Sequence, residues 1–334
     1  MLKYVVKRII SIIPITLAVT LIIFIMLYPL PGSRLSQLPL YGNGDALDRV
    51  FAYFDAGKNL LTMYARYCYN ALIHQDFGTS GVSRLKVSGE LPVRLANTLR
   101  LTAYGAGLTV IFGIPAGIYA ATRKNSAADH LINISALFLS SIPSYCVALI
   151  LALVFALRFR VAVLSGPYAR LLPILTIGIS GIAPVARMTR ASMLETLEQP
   201  YITALRSKGL TEWEVIYSHA LKNAMIPIVS VSGKLVSQLL CGAIVVESFF
   251  SKQGIGSYML RSVSSRDHYA ILGSAAALTV VLTTVNILTD TLYAAITPQI
   301  RSKLMSRSRR WRGAGRSAGR SVELGAAPAR QSSE

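Results

Sequence analysis

At 334 residues, 53% hydrophobic and with a mean hydropathy of +0.50, the chain is too apolar for an ordinary soluble domain. A formal charge of +19 would suit nucleic acid or an anionic surface. No interleaving of aromatic and basic residues of the RNA-binding kind is present, which argues against nucleic acid as a partner. Basic residues crowding the cytoplasmic ends of membrane spans account for the charge more simply. Cys68, Cys146 and Cys241 are scattered without metal or disulfide spacing and leave the redox compartment open.

In chain order, residues 1–8 form a basic N-terminus, and Ile9–Leu30 is a run of 22 residues without charge. That is enough to cross a hydrocarbon core of about 30 Å. Lys3, Lys7 and Arg8 precede it as in a secretory signal, but the run is long and no small-x-small cleavage site follows. It is read as the first span. Residues 33–100 mix Tyr, Gly and charges and read as a long external loop with some structure. Leu101–Thr122 and Leu131–Leu157 are uncharged and long enough to span, with Arg123-Lys124 in the turn between them. Leu171–Ala186 is shorter and carries Pro173, Gly178, Gly181 and Pro184, breaks tolerated where neighbouring helices satisfy the freed carbonyls. Ala224–Val246 holds one charge, Lys234, and Ala270–Thr289 ends at Asp290, completing six predicted spans within 9–300. Residues 301–334 are a basic tail, rich in Arg, Ser, Gly and Ala, that cannot bury enough surface to order itself. It is either drawn to anionic membrane lipid or simply solvated.

The basic residues set the orientation. With both termini in the cytoplasm, the inner side collects Lys3, Lys7, Arg8, Arg123, Lys124, Arg187, Arg190, Arg206, Lys208, Lys222 and the tail arginines. The outer side keeps Arg158, Arg160, Arg170, Lys252, Arg261 and Arg266, so the bias is imperfect. The segment 187–223 then lies in the cytoplasm.

Gln199–Pro227 within and beyond that segment is the one strongly patterned polar stretch between apolar ones. Pro200 opens a helix over Tyr201–Lys208, and Gly209 sits where a helix end needs positive φ. Thr211-Glu212-Trp213-Glu214 fits a capping box that starts a second helix. Trp213, Ile216, Ala220 and Ala224 are predicted to share one stripe of it. The expected shape is two short helices about a glycine elbow, a knob another protein can grip.

These residues carry a resemblance. The run A-x-x-x-K-G-L at Ala204–Leu210, followed by His219, Asn223 and Pro227 at four-residue steps, resembles the coupling loop of ABC-importer permeases. Thr203 stands where the general motif has Glu, and Leu205 where it has its second Ala. Pro227 lies farther downstream than the general spacing, as in the dipeptide/oligopeptide/nickel branch. Asp76-Phe77-Gly78-Thr79-Ser80 is similar to that branch's G-D-F-G-x-S, with Gln75 for the first Gly. On its own the D-F-G would suggest a protein kinase, but no other kinase motif is present. Gly242–Phe250 with Gly254-Ile255-Gly256 resembles its G-A-x-x-V-E-x-x-F…G-x-G, and Asn286 with Asp290 its N-x-x-x-D. The branch's P-G-D-P becomes Pro31-Gly32-Ser33-Arg34, and its D-P-R-I becomes Thr297-Pro298-Gln299-Ile300, which loses both charges.

The resemblance implies an all-α integral membrane permease of six spans, of type I importer kind, with a cytoplasmic coupling helix. Its implied partners are a second permease subunit, two ABC ATPase subunits and an extracytoplasmic substrate-binding protein, in the plasma (inner) membrane. The cargo it implies is a peptide, a nickel chelate or a related small solute. No G-x-x-x-x-G-K-[ST] loop or catalytic constellation is present, so the chain is read as no enzyme and as binding no cofactor. ATP and Mg then belong to the ATPase partners. The implied ATPase-coupling residues are Tyr201, Ala204, Arg206, Lys208, Gly209, Leu210, Glu212, Trp213, His219 and Asn223. Trp213 either fills a socket on the ATPase or packs on the permease itself. Arg206 and Lys208 either meet acidic residues on the ATPase or are positive-inside charges.

Two residues are candidates for the substrate pathway. Lys234, near mid-membrane, either meets an anionic group of the solute or pairs with a neighbouring subunit or backbone carbonyls. Glu247 either stands near an external gate or is a helix-end carboxylate facing water or an arginine. The histidines lie outside the predicted spans, so no intramembrane metal cage is expected. A secondary transporter of small solutes is the alternative, but its substrate and ion residues would be sparse here.

Overall fold

The computed structural model describes residues 2–27, 60–159 and 168–296. The corner at 31–34, Arg160, residues 297–300 and the tail at 301–334 lie outside them. Met1–Thr289 forms one compact unit; Asp290–Glu334 is a second, whose described part is helical to Ile296. Among the described residues the only β-type pairing is an isolated bridge between Thr79 and Lys86. Among the described residues, five helices are long and apolar enough to cross a membrane, and a bent pair would make a sixth crossing.

Helix α1 is Leu2–Leu27 and α2 is Leu60–Ile73. Phe24 of α1 and Tyr67 of α2 are buried together with Leu272, while the Tyr64 hydroxyl lies 2.8 Å from that of Thr20. Helix α3, Val87–Thr122, is 36 residues long, about 54 Å at 1.5 Å per residue. Residues 87–100, expected in a loop, are thus its first turns. Glu90, Arg94, Asn97 and Thr98 there are satisfied within the chain, as by the Glu90–Arg94 pair at 2.7 Å, so hydropathy alone hid the helix.

The run read as one straight span over 131–157 is broken. Helix α4, Ala127–Ser141, begins on Ser126, whose hydroxyl accepts from the Asp129 amide. Helix α5, Ser144–Leu153, leaves at an angle of 103° and ends in a π-helical turn, Val154–Arg158. Pro143 is the cause: it cannot donate to the helix ladder and holds Ile142 extended (φ −88°, ψ 122°). Backbone broken at membrane depth has to be buried in protein or line a cavity.

Helix α6, Tyr168–Leu197, runs unbroken through Pro173 and Pro184 and is far longer than the predicted 171–186. It packs along α3 through a seam of small residues, Gly105, Thr109, Gly113 and Gly117, at four-residue steps. Such stripes let backbones approach where lipid offers no hydrophobic drive. A Cβ added at Gly117 would stand 2.5 Å from the Ala186 carbonyl oxygen, and one at Gly181 would stand 2.3 Å from Thr109 Oγ1. Gly117→Leu is therefore expected to lower stability by about 2–3 kcal/mol through overpacking. Gly107→Ala, with nothing within 4 Å, is expected to be neutral. Thermal unfolding of the detergent-solubilised variants compares the two; equal melting temperatures would refute the seam.

Helices α7 (Pro200–Ser207), α8 (Leu221–Phe249), α9 (Ile255–Ser264) and α10 (His268–Ile296) complete the described chain. The core between α6 and α8 is built from Leu172, Ile177 and Val185 against Leu235, Leu239 and Val246. At the end opposite α7, the Asp76–Ser80 turn docks on the start of α10. Gly78 takes φ +87° beneath Tyr269, and Ser80 Oγ donates to Asp267 Oδ2 at 2.5 Å.

Candidate functional site

The elbow forms as the residues dictate. Pro200 sits at the start of α7, where a missing N–H costs nothing. The helix closes with a Schellman pattern: Gly209 N–H donates to Arg206 O at 3.0 Å, and Leu210 N–H to Leu205 O at 3.4 Å. Gly209 carries φ +84°, the left-handed conformation glycine adopts without penalty. The capping box then closes in both directions. The Thr211 amide donates to Glu214 Oε2 at 3.0 Å, and the Glu214 amide to Thr211 Oγ1 at 3.4 Å. Donation from the Thr211 amide, and next from the Thr211 hydroxyl, holds the Glu214 carboxyl below its ordinary value. The cap is therefore fully formed at neutral pH and is lost only as pH falls through that lowered pKa.

The second helix departs from expectation. Glu214–Ala220 is a π-helical turn that leads into α8. Its inner stripe is Val215, Ala220, Ala224 and Ile228, all buried against Ile118, Met193 and Ile202. The first step of that stripe is five residues and the others four. One extra residue in the turn rotates everything before it by about 100°. Trp213 is thereby parted from the stripe it was predicted to share with Ala220 and Ala224 and is 69% exposed, so it does not pack into the permease. It stacks on Tyr217, 40% exposed, with ring centroids 4.0 Å apart.

Two contacts brace the elbow. Arg206 makes a two-pronged bond to Glu212, at 2.7 and 3.2 Å, so its charge is met within the chain. Asn223 Nδ2 donates to the Tyr201 hydroxyl at 2.8 Å, which ties the start of α7 to the start of α8. Of the other coupling candidates, Ala204 and Lys208 are exposed, Leu210 and His219 half-buried. The elbow is further tied to the α3–α4 turn by Lys124–Glu198 at 2.6 Å. Nearby, the buried Asp129 takes both prongs of the Arg190 guanidinium and joins α4 to α6. Tyr217, Val215 and the Asp129–Arg190 pair were missed by sequence reasoning; only the aromatic spacing of Trp213 and Tyr217 offered a signal.

The pathway candidates separate. Lys234 is exposed on α8, on a stripe with Gln238 and Cys241. Gln238 and Cys241 border a cavity of about 670 Å³ in the angle of the α4–α5 break. Ser140, Ser141, Ser144, Ser180 and Arg187 line its other walls, with Arg187 Nη2 donating to Ser140 Oγ at 3.0 Å. Glu247, by contrast, is 1% exposed, so the water-facing reading of it is corrected. Its carboxylate accepts from Thr98 and from the amides of Gly256 and Ser257, at 3.0 and 3.2 Å, capping α9. Gly254 leaves the room: a Cβ there would stand 2.0 Å from the Glu247 carboxyl carbon. Among the described residues no cluster suited to a metal ion is present.

The family model of binding-protein-dependent transport system inner membrane components matches residues 113–302. Over 308 residues the chain is 35% identical to the glutathione transport system permease protein GsiC of Escherichia coli strain K12. The same identity holds for GsiC of Shigella dysenteriae serotype 1 (strain Sd197). In both cases 91% of this chain and the whole of the relative are covered. The chain belongs to the binding-protein-dependent transport system inner membrane components.

Proposed function

We propose that this chain forms half of the translocation pathway of an ATP-driven importer for peptides or a peptide-like small solute. A second permease subunit completes the pathway, and an extracytoplasmic binding protein delivers the solute. Two ABC ATPase subunits, holding ATP and Mg, supply the energy. Both termini and the elbow lie in the cytoplasm, and the serine-lined cavity with Lys234 flanks the solute's route. The relatives' names speak of glutathione transport, which supports the peptide class for the cargo here.

The observation that carries this reading is the outward Trp213–Tyr217 stack on a braced two-helix knob. Exposed aromatic anchors on a rigid support are what dominate protein interfaces. The test is recovery of the tagged full chain from its native membrane in mild detergent, with co-purified subunits identified by mass. ABC ATPase subunits are expected with the wild type and are expected to be lost in the Trp213→Ala/Tyr217→Ala variant at unchanged melting temperature. Wild type without ATPases, or a double variant that retains them in full, would overturn the assignment.

A further inference from the structure

At the end opposite the elbow, a cavity of about 490 Å³ opens between α3, the start of α6 and the segment joining α8 to α9. Each of those three segments sends a cation to its wall: Arg100, Arg170 and Lys252. None of the three makes an ion pair among the described residues. The one acid on the wall, Glu247, is already committed to Thr98 and the amides that open α9. Burial, and then the charge of Arg170, hold the Lys252 ammonium below its ordinary pKa, the mark of a cation without a counter-charge. Arg170 and Lys252 also stand among the residues that break the positive-inside bias in the sequence.

Three like charges around one cavity repel one another until an anion enters. The rest of the lining is what a small organic acid needs. Leu101, Pro173 and Ile174 give an apolar wall, and the rim is closed where Asn97 Nδ2 donates to Gln253 O at 2.8 Å. The volume falls within the range of about 300–1,000 Å³ usual for small-molecule sites.

We infer that this cavity is an entry site for the carboxylate end of the transported solute, held by Arg100, Arg170 and Lys252. The inference rests on the importer reading for the identity of the solute, but its test requires no transport. The full chain, with Cys68, Cys146 and Cys241 replaced by alanine, carries a single Gln253→Cys and is placed in phosphatidylcholine nanodiscs. Its reaction rates with an anionic and a cationic methanethiosulfonate (sulfonatoethyl and trimethylammonioethyl) are compared. The control is a cysteine at exposed Val263 on α9.

The anion-to-cation rate ratio at position 253 is expected to exceed the control's by on the order of tenfold. Arg170→Gln with Lys252→Gln is expected to bring it down to the control. S-methylglutathione at twice its dissociation constant is expected to slow labelling about threefold, and its dimethyl ester not at all. A ratio equal to the control, a ratio indifferent to the two substitutions, or equal protection by the ester would each overturn the site. Protection conferred by phosphatidylglycerol in the disc alone would reassign it to a lipid headgroup. Charge selectivity that persists in a chain that binds no ATPase would leave the cavity standing and remove the importer assembly.

Discussion

Replacing Glu247 with alanine is expected to destabilise the fold by about 3–5 kcal/mol, the cost of leaving the buried donors it satisfies without an acceptor. The carboxylate accepts from the Gly256 and Ser257 amides and takes the Thr98 hydroxyl, which itself accepts from the Ile255 amide at 2.9 Å. Its removal orphans the first amides of α9, each unsatisfied buried group costing about 1–3 kcal/mol. Glu247→Gln is expected to cost only about 1 kcal/mol. The amide oxygen keeps the backbone donors, and Thr98 can turn its hydrogen to Arg94 O, 3.3 Å away. Thermal unfolding in detergent ranks the three proteins, and equal losses for Ala and Gln would contradict the capping role.

Gly209→Val is expected to reduce ATP-driven uptake by on the order of tenfold while insertion and yield stay at wild-type level. A Cβ at Gly209 meets nothing within 4 Å, so the whole effect comes from φ +84°. A left-handed backbone costs an L-residue about 1–2 kcal/mol, and a β-branched one most. The least costly relief is to open the two bonds from Gly209 and Leu210, which lets α7 and the capping box swing apart. Gly209→Asn, which tolerates this conformation, is expected to keep most of the uptake. Uptake of a radiolabelled solute into proteoliposomes loaded with ATP distinguishes the pair. If the valine variant assembled and transported normally, the elbow would carry no coupling.

Backbone punctuation was legible in the sequence where a residue type reports its own geometry. Pro200, Gly209, Thr211 and Glu214 each demand one local conformation, and the elbow has all four. Within the described residues, the apolar runs at 9–30, 101–122, 224–246 and 270–289 lie inside helices, because uncharged length is a direct signal. Hydropathy carries no direction, so the 103° break at Ile142–Pro143 stayed hidden inside one uncharged run even though Pro143 was visible. The π turn at Glu214–Ala220 left no mark in composition, and one inserted residue was enough to turn Trp213 away from the stripe of Ala220 and Ala224. Glu247 and the three cations of the far cavity are joined only through tertiary structure. Arg100, Arg170 and Lys252 come from separate segments, and only Arg170 and Lys252 read singly as exceptions to a charge bias.

Helix α6 begins at the far cavity with Arg170 and ends at Leu197, three residues before the elbow. Its 30 residues make a rod about 45 Å long. The seam with α3 runs along its central stretch, from Ile177 to Thr189, and is where a tilt of the rod would pivot. A tilt of about 5° would carry each tip some 2 Å, in opposite directions, by the geometry of a rod of that length. A push received at one face of the bilayer would thus widen or pinch the mouth at the other, with no signal relayed from side chain to side chain.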